Sequence, residues 1–201
     1  NVCSDVNLSH AWNVCFMRYG WEPATTYDFT VISRSAEGKN SVGPLASSAV
    51  FTTALFGFES GTQSWIALNH PADASLVSSE DFASEGSHSL KYVISNSAGD
   101  WGGIPMSSPI DLSAYNGISF ELKNTDADTN ASLVLQTSSG WDWCASPGSA
   151  LDVGTTNTVT VRFSDLSCSQ NTLNPSEIHA MYIWLGTGTY YIDNVRPVNL
   201  P

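Results

Sequence analysis

Tryptophan residues are the side chains of this sequence best suited to hold a ligand. Trp101 lies in Gly99-Asp-Trp-Gly-Gly103, a predicted loop whose glycines offer it little to pack against, and Trp143 lies in a strand-like segment. A flat indole ring stacks on the C–H patches of a sugar ring, while nearby amides bind the sugar hydroxyls. With Gln136 as such an amide and Asp142 as a hydroxyl acceptor, the pattern predicts a carbohydrate site built on Trp101 and Trp143.

Three further tryptophans are secondary candidates for the same site. Trp141 is two residues before Trp143, so in one strand both side chains leave the same face, and Trp184 has the same relation to Tyr182. Trp65 fits either a contact at the rim of a site or a packing residue. In a β-sandwich a tryptophan is more often part of the core than of a ligand site, and this alternative stays open for each of them.

Motifs for catalysis are missing from the sequence. It contains no Gly-x-Ser-x-Gly elbow, no His-Glu-x-x-His and no phosphate-binding loop, and its four histidines are scattered. Paired carboxylates for glycoside hydrolysis stay open, because the distance between them is set by the fold. The sequence therefore predicts a binding protein and not an enzyme.

Composition and charge limit the partners. Hydrophobic residues make up 42% and charged residues 13%, and 19 acidic against 7 basic residues give a net charge of −12. Such a surface repels nucleic acid and anionic membranes, and it suits a neutral polysaccharide or a divalent cation. The sequence has no apolar stretch of about 18 residues, so it predicts no membrane span.

The four cysteines are Cys3, Cys15, Cys144 and Cys168, and they show no zinc-binding spacing. Three pairings are possible. Cys3–Cys15 with Cys144–Cys168 is favoured because each pair then stays within one segment of the chain. Disulfides form in an oxidising compartment, so a secreted, extracellular protein is expected.

Two units must position these residues, and residues 56–198 form the larger one. Short strand-like segments at about ten-residue spacing, separated by turns with Gly, Asn and Pro, are typical of a β-sandwich or jelly roll. The segments predicted as strands are 64–68, 75–78, 88–94, 102–110, 117–123, 132–137, 141–144, 157–162, 179–185 and 189–195. The fold class is therefore predicted to be all-β.

Residues 1–54 form the other predicted unit, with strands at 27–33 and 49–53 and a weaker one at 14–18. Trp21-Glu-Pro-Ala-Thr-Thr-Tyr-Asp-Phe-Thr-Val31 resembles the turn and tyrosine corner of fibronectin type III domains, in which Tyr27 would hydrogen-bond the turn backbone. The resemblance implies the last strands of a partial fibronectin type III or immunoglobulin-like sandwich. Either the chain is a fragment of a longer protein, or strands of a preceding domain or neighbouring subunit complete this one.

Three motifs occur in order along the second unit: Phe58-Glu-Ser-Gly61, Ser84-Glu-Gly-Ser-His-Ser-Leu-Lys-Tyr92 and Tyr190-Tyr-Ile-Asp-Asn-Val195. This arrangement resembles the β-jelly-roll carbohydrate-binding modules of secreted plant-cell-wall hydrolases. The resemblance implies a non-catalytic module. It also implies that the aromatic contacts of mannan-binding members correspond, in chain order, to Trp65, Trp101 and Trp143.

The same resemblance implies a structural calcium ion that ties the first strand to the last. Glu59 and Asp193 would supply carboxylates, and backbone oxygens near Gly61, Gly86 and Lys91 would complete the shell. Calcium takes six to eight oxygen ligands, so this set is chemically suitable. The alternative is that the two carboxylates only hydrogen-bond neighbouring turns.

Two functions are predicted from these observations. The first is non-catalytic binding of a neutral β-linked polysaccharide of the mannan or glucan type, which would target an attached secreted enzyme or surface protein. The second is a structural subunit of an extracellular fibre or surface layer, completed by strands from a neighbouring chain.

Overall fold

The computed structural model describes residues 26–31, 45–50, 54–126 and 129–201. The chain divides into two compact units, Asn1–Thr53 and Ala54–Pro201. In the first unit, β1 (Thr26–Val31) pairs antiparallel with β2 (Leu45–Val50). The predicted tyrosine corner and the Cys3–Cys15 disulfide lie outside the described residues, as do strands supplied by another chain, and all three stay predictions.

The second unit contains twelve strands and two short 3-10 turns, at Pro71–Asp73 and Phe163–Asp165. The strands are β3 (Ile66–Ala67), β4 (Ala74–Ser79), β5 (Ser89–Ile94), β6 (Asp100–Ile110), β7 (Gly117–Asn124), β8 (Thr129–Thr137), β9 (Asp142–Ala145), β10 (Ser149–Leu151), β11 (Thr156–Arg162), β12 (Ser167–Cys168), β13 (Ile178–Leu185) and β14 (Gly188–Val198). Among the described residues, no helix is long and apolar enough to cross a membrane.

These strands form two antiparallel sheets. The seven-stranded sheet has the order β12-β9-β8-β13-β6-β3, with β10 paired to β8, and the five-stranded sheet has the order β11-β7-β14-β5-β4. The predicted all-β jelly-roll sandwich is thus confirmed for this unit. All ten segments predicted as strands are strands, whereas β10 and β12 were missed because two or three residues carry too little alternation to be recognised.

The core lies between the two sheets and is built by alternation along the strands. Leu90, Tyr92 and Ile94 of β5 are buried, as are Tyr190 and Ile192 of β14. Residues between them point to the outside, because successive side chains of a strand leave opposite faces. Each sheet therefore has one inner face in the core and one outer face.

The disulfide Cys144–Cys168 predicted from the sequence is present. Both cysteines lie in paired strands, since Cys168 of β12 is directly opposite Cys144 of β9. The bond fixes the short edge strand β12 to the sheet one residue away from Trp143.

Candidate functional site

The outer face of the seven-stranded sheet carries a cluster of aromatic side chains, called here the aromatic face. Val134, Ala180 and Tyr182 are its buried floor, and Trp101 and Trp143 pack on them. Strand pairing explains the cluster: Tyr182 of β13 lies opposite Val134 of β8 on one side and opposite Gly103 of β6 on the other. Residues from four neighbouring strands, β9, β8, β13 and β6, thus reach one patch of surface.

Trp101 and Trp143 meet above this floor. Their ring centroids are 5.1 Å apart with the planes at 89°, an edge-to-face contact, and Trp143 is nearly parallel to Tyr182 at 6.0 Å. Both tryptophans are half-buried. Burial beneath them raises the pKa of Tyr182. The predicted partnership of Trp101 and Trp143 is therefore observed as direct ring contact on an outer face.

Glycine at position 103 is needed for this arrangement. A Cβ atom there would collide with the Met181 carbonyl oxygen and with the Tyr182 ring. Without it, the Tyr182 ring can lie across β6 towards Trp101. The glycines around Trp101 thus have a packing role, and the sequence-based expectation that they leave Trp101 in a loop is wrong, because β6 begins at Asp100.

Asp100 anchors Trp101 from below. Its side chain is buried, and Oδ1 accepts hydrogen bonds from the backbone N–H groups of Trp101 (2.8 Å), Asn69 (2.9 Å) and His70 (3.3 Å). Oδ2 accepts a hydrogen bond of 3.0 Å from the hydroxyl of Tyr92 in the five-stranded sheet. Burial, followed by the charge of Asp100, raises the pKa of Tyr92. One carboxylate therefore joins Trp101 to both sheets.

The strands of the seven-stranded sheet carry no lysine or arginine. Their two acidic residues, Asp100 and Asp142, are buried. All four basic residues of the second unit, Lys91, Lys123, Arg162 and Arg196, belong to strands of the five-stranded sheet. The aromatic face is thus uncharged within its strands, which suits an uncharged ligand and offers nothing to pair with an anionic one.

Of the weaker tryptophan candidates, Trp184 lies on this face and Trp141 lies in the turn at its end. Trp184 pairs with Trp101 across β13 and β6, and it is half-buried. Trp141 is 45% exposed, but it precedes β9 and has a positive φ of 55° in the turn from β8. The alternation argument that placed it beside Trp143 does not apply there, because it holds only within a strand.

The proposed amide is present beside the tryptophans. Gln136 lies opposite Trp143 and opposite Ala180 in the sheet, and it is half-buried. Its Nε2 lies 3.5 Å from the Trp141 carbonyl oxygen, at the limit of a hydrogen bond. The amide therefore keeps most of its capacity for a ligand.

Two residues considered as sugar contacts face inward instead. Trp65 is only 3% exposed and packs against Phe56 and Phe58 at centroid distances of 5.4 and 5.3 Å, which corrects the prediction that its ring contacts sugar. Asp142, considered as a hydroxyl acceptor, is buried and accepts a 2.6 Å hydrogen bond from Asn171. Neither side chain is available to a ligand on the aromatic face.

The predicted metal-binding carboxylates meet at one turn, residues 84–88. Asp193 is buried, and its Oδ2 accepts hydrogen bonds from the Ser84 N–H (2.7 Å), the Ser84 hydroxyl (2.9 Å) and the Glu85 N–H (3.0 Å). Glu59 accepts from the N–H groups of Ser87 (2.9 Å) and His88 (3.1 Å). The first and last segments of the unit are thus joined through this turn.

Gly86 makes room for this contact. A Cβ atom at that position, where φ is +71°, would collide with the Glu59 carboxylate. Burial tends to raise the pKa of Glu59, but hydrogen bonds from the N–H groups of His88 and Ser87 and from the Ser87 hydroxyl outweigh it and lower the pKa. Glu59 is therefore held as a carboxylate against the turn.

The other predicted ligand positions differ in their surroundings. Gly61 has a φ of +109° and nothing near its Cβ position. Lys91 lies inside β5, between Val77 and Tyr191, and its Nζ is 2.8 Å from Asp81. Among the described residues, no group of three or more His, Cys, Asp or Glu side chains could hold a metal.

Two buried oxygens beside Asp193 have no hydrogen-bond partner: the Ser89 Oγ and the Asn194 Oδ1. Ser89 is one residue beyond the last pair of β5 and β14, Leu90 with Ile192, so it continues the register towards Asp193. An oxygen-only set of two carboxylates, a hydroxyl and an amide oxygen fits a hard cation such as calcium. The sequence offered no signal for these two residues, since serine and asparagine are common in turns.

Two residues of the candidate site, Tyr182 and Asp100, were not predicted from the sequence. Tyr182 was noted only as the partner of Trp184, although the two-residue spacing that placed Trp184 on the face applies equally to it. Asp100 lies between Gly99 and Trp101 and looks like a turn residue. Only the fold shows that it is buried.

The family described as "Mannanase, galactose-binding domain-like" matches residues 56–194 of the chain. No curated protein sequence matches significantly.

Solved structures with a similar fold share little sequence. An exo-beta-agarase structure gives a TM-score of 0.60 at 17% identity over 75% of this chain and 25% of that one, so the chain spans about a quarter of that protein's length. A carbohydrate-binding module specific for non-crystalline cellulose gives 0.55 at 18% identity, over 76% and 96%. The family 11 carbohydrate-binding module from a cellulosomal cellulase of Clostridium thermocellum gives 0.54 at 16%, over 76% and 96%.

Proposed function

The chain belongs to the mannanase, galactose-binding domain-like family, and we propose that its second unit binds a neutral β-linked polysaccharide without catalysing a reaction on it. The observation that carries the proposal is an aromatic face whose strands have no lysine or arginine and only buried acidic residues. Sugar rings stack on the indole faces of Trp101, Trp143 and Trp184, and Gln136 binds hydroxyl groups. Mannan and glucan are the polysaccharides that we propose first.

The related folds support a role in binding. Two of them are carbohydrate-binding modules that align over nearly their whole length. The sequence carries no catalytic motif. The aromatic residues of the candidate site meet on an outer face of the sheet, and not around a pair of acid and base side chains. Binding would hold an attached secreted enzyme or surface protein at its polymer, which raises the local concentration of that partner. The disulfide Cys144–Cys168 agrees with such an extracellular role.

Calorimetric titration tests this proposal. Galactomannan, mixed-linked β-glucan and xylan serve as neutral ligands, and polygalacturonate serves as a charged control. We expect saturable binding to a neutral polymer, no binding to the charged one, and at least a tenfold loss of affinity in Trp143→Ala. Lys123→Ala, on the opposite sheet, is the matched control and should bind as the wild type does. Absence of heat with every neutral polymer would contradict the proposal.

We also propose that Glu59 and Asp193, with Ser89 and Asn194, hold a structural calcium ion. Bound there, calcium would tie the turn at residues 84–88 to both ends of the unit and raise the free energy of unfolding. Thermal unfolding with calcium chloride and with EDTA checks this. A calcium-dependent rise in Tm that Asp193→Asn removes supports the site, and identical Tm values in both buffers would rule it out.

A further inference from the structure

We propose that Trp141, His179 and Glu177 form an outer sugar subsite, separate from the Trp101–Trp143 pair, at the end of the aromatic face where β8 turns into β9. This inference rests on the proposed function and deepens it. Its ligand is one more sugar ring of the same neutral polysaccharide. The subsite therefore serves long ligands and not short ones.

Trp141 is the most exposed tryptophan among the described residues, at 45%. Its φ of 55° places a bulky residue in the left-handed region, which is unfavourable and persists only where the surroundings enforce it. The turn does so through a hydrogen bond of 2.9 Å from the Trp141 N–H to the Ser138 carbonyl. The chain thus holds an indole ring out of the core at a cost in backbone energy.

A β-bulge in β13 supplies the partner of this ring. Ile178, in the core, pairs with Thr137, and Ala180, on the aromatic face, pairs with Gln136, so His179 is the extra residue. Bulges redirect side chains, and this one brings the imidazole to the indole. The ring centroids are 4.8 Å apart with the planes tilted by 30°. The imidazole therefore packs against the indole, while Trp141 stays 45% exposed and open to a ligand.

Glu177 fixes the imidazole and completes the polar side of the subsite. Its Oε1 lies 3.2 Å from His179 Nε2. Its backbone carbonyl accepts hydrogen bonds from the Ser138 N–H (3.2 Å) and the Thr137 hydroxyl (3.1 Å), so the segment is tied to the turn that carries Trp141. The carboxylate is 36% exposed, so it has lone pairs left to accept a sugar hydroxyl.

The arrangement thus combines the exposed indole of Trp141, the imidazole of His179 that supports it and the accessible carboxylate of Glu177. These are the elements that sugar recognition requires: stacking against C–H groups and a hydrogen bond to a hydroxyl. Trp101 and Trp143, in contrast, already use part of their surface on each other. A ligand that covers the central pair gains the contact with Trp141 only when its chain is long enough to extend to the turn.

Titration with oligosaccharides of increasing length tests the subsite. The probes are β-1,4-linked manno- and cello-oligosaccharides from disaccharide to hexasaccharide, titrated into the full chain. We expect wild-type affinity to rise with length, and Trp141→Ala to lose about fivefold to tenfold for the hexasaccharide but nothing for the disaccharide. Trp101→Ala should lose affinity at every length.

His179 acts through Trp141, so its role has its own test. His179→Phe keeps a supporting ring and should retain the length dependence, whereas His179→Ala should lose it with no change for the disaccharide. Circular dichroism confirms that each variant is folded. The same affinities for Trp141→Ala and wild type at every length would overturn the subsite while the proposed function stands. Equal losses at all lengths would also overturn it, by making Trp141 part of the central site. A wild type that binds no oligosaccharide also overturns the subsite, and the titration with neutral polymers then decides the proposed function separately.

Discussion

The outer face of the seven-stranded sheet and the outer face of the five-stranded sheet are made of different side chains. The first carries Trp101, Trp143 and Trp184 and has no lysine or arginine in its strands. On the second, Lys91, Tyr191 and Lys123 form a row across β5, β14 and β7. The segment before the turn at 84–88 lies against this row. Asp81 Oδ2 is 2.8 Å from Lys91 Nζ, and the ring centroids of Phe82 and Tyr191 are 6.1 Å apart.

The difference shows that the lysine and arginine side chains of the second unit lie in only one of the two sheets. Tyr191 in this row and the adjacent Phe82 both lie near an ammonium group, since Lys123 Nζ is 5.5 Å from the centroid of the Phe82 ring and 6.0 Å from that of the Tyr191 ring. Such rings are engaged within the protein. The strands that carry the aromatic face contain no lysine or arginine, so its rings have no such cation within their own sheet. One core thus supports a face with basic side chains and the aromatic face, which we propose as the binding face.

The largest expected effect separates a core tryptophan from a surface one. Trp65→Ala removes a fully buried indole between Phe56 and Phe58 and should lower the free energy of unfolding by about 3–5 kcal/mol. Trp141→Ala removes an exposed one and should change it by less than about 0.5 kcal/mol. Urea denaturation measures both. A Trp141→Ala variant as unstable as Trp65→Ala would show that its ring is structural.

Removal of the disulfide should have the next largest effect. Cys144 and Cys168 are 24 residues apart, so the double Cys→Ala variant should lose about 3 kcal/mol. The loss of stability should be local to the seven-stranded sheet, because the bond connects β9 to the edge strand β12. Hydrogen exchange should therefore quicken in β9 more than in β5. Uniform quickening in both sheets would contradict this.

A smaller effect is expected from Asp100→Asn, which tests the link between the two sheets. The amide replaces one acceptor oxygen with a donor, so either a backbone N–H or the Tyr92 hydroxyl loses its partner, at a cost of about 1–3 kcal/mol. Because Asp100 positions Trp101, glycan affinity should fall as well. Tyr92→Phe is the control, and it should keep the affinity. Unchanged binding in Asp100→Asn would show that Trp101 is held by other contacts.

The smallest effect concerns Glu59 at the turn. Its pKa in the folded state is lowered from 4.5, so its contribution to stability is present above that value and is lost as the pH falls through the folded-state pKa. In EDTA, the Tm of the wild type should therefore fall towards that of Glu59→Gln as the pH is lowered from neutral into the acidic range. Glycan affinity should not change in the variant. A Tm difference independent of pH would contradict the assignment.

The sheet architecture was predictable because it depends on alternation. β7 has apolar residues at every second position and β13 is a nearly continuous apolar run, and the bounds of both agree with the prediction within one residue. The Cys144–Cys168 bond was predictable from the proximity of its ends in the chain. These features depend on local sequence.

The composition of the site was predictable only in part. Trp101 and Trp143 meet because β6, β13, β8 and β9 are neighbours in the sheet, an order that the sequence of strands does not reveal. Trp65 also lies in a strand-like segment of the sequence, yet its side chain is in the core between the two sheets. His179 depends on a bulge, and Asp100 on a buried network. Each of these outcomes is set by pairing between distant strands.

The most direct test of the central claim is a nitrogen–proton correlation spectrum recorded during titration with mannohexaose, and in parallel with cellohexaose. The tryptophan indole N–H signals report on individual rings, and Trp65 in the core is an internal reference. We predict that the signals of Trp101 and Trp143 shift with saturation, while those of Trp65 and the Tyr191 amide do not. Saturable shifts at Tyr191 with none at Trp101 or Trp143 would contradict the claim that the uncharged aromatic face binds the polysaccharide.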